Sequence, residues 1–138
     1  MNDKVEDIDL NFEDYVQRIN SDLVGKYLNI ASRCSSFIEK NSNALSNTFD
    51  NELIEKAINQ KEAIEACFES RNYSKAVRLI MDIADLTNKY INDNTPWKKD
   101  IDEAAQIATT ALNVFNILSI YLSPIIPNIT KEAFKFLN

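Results

Sequence analysis

The sequence predicts an all-α fold, an antiparallel helical bundle of about five helices. Three observations carry that expectation. Apolar residues recur in steps of three and four over long stretches, the period of an amphipathic helix. Glycine occurs once, at Gly25, and proline three times, at Pro96, Pro124 and Pro127, too little punctuation for a turn-rich β architecture. The chain has 138 residues, 45% of them hydrophobic, which is enough to bury one core without disulfides or metal.

The elements follow in order. Residues 1–11 are polar and acidic and read as a connecting segment, with 12–138 as the bundle. Asn11 reads as an N-cap for a first helix from about Phe12 to about Lys40. Its stripe is Phe12, Val16, Ile19, Leu23, Tyr27, Ile30, Cys34 and Phe37. Gly25 lies off the stripe, either as a mildly costly helix glycine or as a point of close backbone approach. After a polar loop, a second helix is expected from about Asp50 to about Glu69. The Ser70-Arg71-Asn72 stretch breaks it, and Asn72 can cap a third helix from Tyr73 to about Asn92. Thr95 precedes a proline and should be extended. Asp100 with Glu103 resembles a capping box at the head of a fourth helix, Ile101 to about Leu122, whose wide apolar coverage implies burial on several sides. A short closing helix is expected from about Ile129 to Leu137.

Composition also excludes function classes. There is no histidine, so Ser-His-acid triads, Cys-His dyads and His-based metal sites are absent. Cys34 and Cys67 stand singly and read as small buried hydrophobes. The net charge of −6 repels polyanions at long range. It disfavours sliding on DNA or RNA but leaves room for a local RNA contact made by stacking and a few donors. No signal peptide and no apolar run of about 18 residues is visible, so a cytoplasmic location is expected, with neither membrane nor DNA as partner. The carboxylates read as helix-surface and helix-terminal charge. Asp22 lies one turn before Lys26, and Asp100, Asp102 and Glu103 crowd a helix N-terminus.

Four positions are not explained by a bundle. Trp97 is the only tryptophan and follows Pro96 in a loop, beside Lys98 and Lys99. It reads either as a plug for the bundle end or as an exposed stacking platform, held at low entropy cost by the proline. Arg18 and Arg78 each have an aspartate four residues away on the same helix. Arg33 has no carboxylate at those offsets, so its guanidinium is left for something off the helix. Asn29 lies one turn earlier. At about 100° per residue both Asn29 and Arg33 fall on one flank of the buried stripe, where a groove beside a neighbouring helix would lie.

These residues carry a resemblance. The stretches Asp7–Lys40, Glu69–Trp97 and Ala111–Asn138 resemble, in order, the anticodon-binding domain of bacterial-type methionyl-tRNA synthetases. The Asn-Ile-Ala-Ser-Arg element at 29–33, the Pro-Trp element at 96–97 and the Leu-Ser-Pro-Ile-Ile-Pro break at 122–127 are the specific parts. The resemblance implies a class I synthetase bundle that reads the CAU anticodon of methionine tRNA. It implies that Pro96 and Trp97 supply an aromatic platform for the first anticodon base, and that Asn29 and Arg33 supply hydrogen bonds to anticodon bases. It further implies a parent enzyme that charges this tRNA with ATP, zinc belonging to members with knuckle cysteines, and a catalytic domain as the bundle's partner.

The His-Ile-Gly-His and Lys-Met-Ser-Lys-Ser elements and the zinc-knuckle cysteines are absent here. The chain is therefore expected to be a fragment with no cofactor and no catalysis of its own. Two other readings stay open: a protein-interaction module using an exposed Trp97 patch, and the equivalent domain of another class I synthetase.

Overall fold

A computed structural model describes the backbone of residues 2–42, 44–47, 49–125 and 130–131, and side chains from residue 21 onward. Five α-helices are present among these residues: α1 (Asn2–Lys40), α2 (Asn51–Ile58), α3 (Lys61–Glu69), α4 (Tyr73–Asn94) and α5 (Ile101–Leu122), with a 3-10 turn at Pro96–Lys98. No strand occurs among them, and the all-α expectation holds. Most of the expected closing helix lies outside the described residues; Thr130 and Lys131 are helical.

The stripes read from sequence become the core. Leu23, Tyr27, Ile30 and Cys34 of α1 are buried, as are Val77, Ile80, Ala84, Thr87 and Ile91 of α4. Helix α5 lies among the others, with Ala111, Val114, Phe115, Leu118 and Leu122 at most 1% exposed. It is long and apolar enough to cross a membrane by length and composition, but its apolar surface is largely packed inside the bundle. Tyr27 stacks on Phe115 with ring centroids 4.5 Å apart, and its hydroxyl shares a short hydrogen bond with Ser119. Side-chain hydroxyls of α5 also hold the 41–50 loop. Thr109 Oγ1 accepts from the Ser46 amide at 2.8 Å, and Thr110 Oγ1 from the Asp50 amide at 2.9 Å.

Three local expectations change. Helix α1 begins at Asn2, so Asn11 is helix interior and not a cap. Nothing in 1–11 stops a helix, since the segment has neither proline nor glycine and its acidic residues favour an N-terminal end. The second helix is two helices. Tyr121 of α5 donates its hydroxyl to Ala57 O at 2.8 Å and lies 3.4 Å from Ile58 O. It thus occupies carbonyls that a continuing helix would pair internally.

Thr95 is left-handed, with φ 44° and ψ 62°. It is the residue that terminates α4, its amide bonding Ile91 O at 3.1 Å, and the sharp turn seats Pro96 in a buried position. Of the two readings of Gly25, the mildly costly helix glycine stands: a Cβ placed there would meet nothing within 4 Å.

The caps at Asn72 and Asp100 stand as read, accepting from the Lys75 and Glu103 amides, and Asp50 caps α2 by accepting from Glu52. The break at 70–72 is a Schellman turn: Arg71 is left-handed at φ 60°, with Asn72 N bonded to Cys67 O and Arg71 N to Phe68 O.

Candidate functional site

Two of the four singled-out residues meet on the seam between α1 and α4. Asn29 Nδ2 donates to Asn88 Oδ1 at 3.2 Å. Arg33 Nη1 donates to the same oxygen at 3.4 Å, and Arg33 Nη2 to Asn92 Oδ1. One turn earlier Lys26 pairs with Asp85 at 3.0 Å, not with Asp22. The pairs Lys26–Asp85, Asn29–Asn88 and Arg33–Asn92 keep one constant offset. The two helices therefore run parallel along this seam, and steps of three and four on each present one polar ladder.

The ladder explains why Arg33 lacked a partner in its own helix: its partners are amides on α4. Among the described residues no carboxylate pairs with it. Two of its five N–H groups are used, so the cation keeps its charge and three donors for a ligand. Asn29 is exposed and Arg33 half-buried, and both lie beside a neighbouring helix, on the flank of the apolar stripe.

Trp97 stands at the adjoining end of the bundle. It is 54% exposed, so the plug reading fails. Pro96 beneath it is buried. Trp97 lines an open groove of about 660 Å³ with Phe37, Lys40, Lys99, Asp100 and Ala104 among its walls. Phe37 is one turn beyond Arg33 on α1, and Asn92 lies five residues before Trp97 on the chain. The seam thus leads into the indole groove. Lys40 sits 5.8 Å over the Phe37 ring, and Lys40 and Lys99 share the groove wall with Asp100 and Asp102.

The cysteines are not chemistry. Cys34 is buried behind the site. Burial pushes its thiol up to about 12, against the opposing pull of the Arg33 charge, so it stays protonated and inert. No group of three or more His, Cys, Asp or Glu side chains placed to hold a metal occurs among the described residues.

A solvent-facing indole, a guanidinium with no carboxylate partner among the described residues and an asparagine beside it are parts of the kind that stack on and hydrogen-bond unpaired bases. Sequence comparison gives that arrangement a family. Residues 50–138 match the model of the anticodon-binding domain of tRNA ligase. The chain belongs to this family of anticodon-binding domains. The family match covers Asn88, Asn92, Pro96 and Trp97, while Asn29 and Arg33 lie before it.

Over the whole chain it is 45% identical to the methionine–tRNA ligase of Neisseria meningitidis serogroup B and 43% identical to that of Thiobacillus denitrificans. It spans 21% of the length of each. In three dimensions the domain is similar to the free form of Mycobacterium tuberculosis methionyl-tRNA synthetase. The TM-score is 0.68 at 24% identity, over 85% of this chain and 26% of that one.

Sequence reasoning missed Asn88 and Asn92. Their four-residue spacing matches that of Asn29 and Arg33, but the match means nothing until α1 and α4 are known to be parallel neighbours.

Proposed function

We propose that this anticodon-binding domain serves a methionine–tRNA ligase and reads the CAU anticodon of methionine tRNA. Trp97, fixed by Pro96, stacks on the first anticodon base. Asn29 and Arg33 reach base edges from the α1–α4 seam. What supports this reading is that Phe37, one turn beyond Arg33 on α1, shares a groove wall with the exposed Trp97, so a stacking face lies near the edge donors of the seam. An aromatic platform contributes about 1–3 kcal/mol per base, so a few contacts suffice despite the net charge of −6.

The rest of the ligase would be the domain's partner. It would supply ATP-dependent methionine activation and most of the contact with the tRNA body, in the cytoplasm. Neither DNA nor a membrane has a role in this scheme.

Competition binding tests it. A hairpin with a CAU loop should displace a labelled copy of itself from the chain at lower concentration than hairpins changed at any single anticodon base. Equal displacement by all of them would contradict the proposal.

A further inference from the structure

The amide of Asn88 is used on all sides. Its Nδ2 donates to Lys26 O at 3.3 Å across the seam and to Ala84 O at 3.2 Å within α4. Both hydrogens are therefore spoken for, and only Oδ1 can face the ladder. That oxygen accepts from Asn29 Nδ2 and Arg33 Nη1 together, while Asn92 Oδ1 accepts from the other arm of the guanidinium.

Two physical consequences follow. The orientation of Asn88 is set by backbone atoms on two helices, which leaves it no flipped alternative that satisfies the same groups. Arg33 is gripped at both terminal nitrogens, so its free N–H edge points in one direction. Both braces are neutral, so neither cancels its charge as a carboxylate would.

We propose that Asn88 and Asn92 are the positioning residues of the anticodon site. They touch no RNA in this scheme. They hold the Asn29 amide and the Arg33 fork in register before RNA arrives, so that base discrimination does not require ordering two free side chains on binding. The inference rests on the anticodon reading above.

The test is a double-mutant cycle on the chain, read as the dissociation constant of a hairpin changed at one anticodon base divided by that of the CAU hairpin. Asn88→Ala should lower that ratio about fivefold. It should add less than its own single effect in Arg33→Ala, because only the support of Asn29 then remains to be lost. Asn92→Ala, at an exposed position with no tie to α1 besides Arg33, should lower the ratio about twofold with unchanged melting. It keeps the proposal testable if Asn88→Ala fails to fold.

A purely structural role predicts otherwise: both hairpins weaken equally, the ratio holds, and the losses add to those of Arg33→Ala. That outcome overturns the proposal while leaving the anticodon reading intact. A wild-type chain that does not discriminate the hairpins overturns both.

Discussion

Helix α1 faces two neighbours through two different chemistries. Toward α5 it presents Leu23, Tyr27, Ile30 and Cys34, each at most 1% exposed. Tyr27 is stacked on Phe115, and its hydroxyl is matched to Ser119. Toward α4, on the flank of the same turns, it presents Lys26, Asn29 and Arg33, bonded to Asp85, Asn88 and Asn92. The first seam excludes water and holds the fold. The second gains little net stability from exposed polar pairs but leaves a cation and several donors facing solvent. If the polar seam serves recognition as proposed, one helix keeps stability and recognition on separate faces.

That division can be broken by substitution, with effects that differ in kind. Phe115→Ala should cost the most, about 3–5 kcal/mol, seen as an earlier denaturant midpoint, with the base preference of the remaining folded protein intact. Arg33→Ala should do the reverse. Its melting should move by less than about 0.5 kcal/mol, while discrimination among anticodon hairpins falls by about 1–3 kcal/mol. Tyr121→Phe removes the hydroxyl that bonds Ala57 O at the α2–α3 junction. It should cost about 1 kcal/mol and speed hydrogen exchange at the α2–α3 junction. Gly25→Ala, in open space on α1, should stabilise the chain by about 0.5–1 kcal/mol without changing RNA binding.

A pH titration sharpens the buried side of the comparison. Burial raises the Cys34 thiol from 9.0 to about 12. It also raises the hydroxyls of Tyr27, Tyr90 and Tyr121 above 10.0. For each group the unfolded chain releases its proton at lower pH than the folded one. Stability from this source is intact below about pH 9 and falls as pH climbs toward 12. Chemical denaturation at stepped alkaline pH checks this, and an unchanged midpoint between pH 9 and 11 would contradict it.

Periodicity makes the buried seam legible in the sequence, because each apolar residue there repeats within its own helix. Asp100 and Asn72 were legible as caps for the same local reason. The polar seam was legible by half. Asn29 and Arg33 stood out as unexplained, but Asn88 and Asn92 acquire meaning only from a helix fifty-nine residues away in sequence. The α2–α3 break was not legible locally, and the hydroxyl bonded to its carbonyls comes from Tyr121 on a distant helix. Thr95 was misread since the preference before proline is extended, whereas closing α4 over a buried Pro96 requires a left-handed residue. Local signals report local causes, and the site is built from long-range ones.

The most direct measurement of the central claim uses Trp97, the only indole in the chain. A CAU anticodon hairpin is titrated into the protein while tryptophan emission is followed, beside a hairpin changed only at the first anticodon base. The account predicts saturable quenching by the CAU loop and a weaker response to the control. Unchanged emission with both hairpins, at concentrations up to about millimolar, would contradict it.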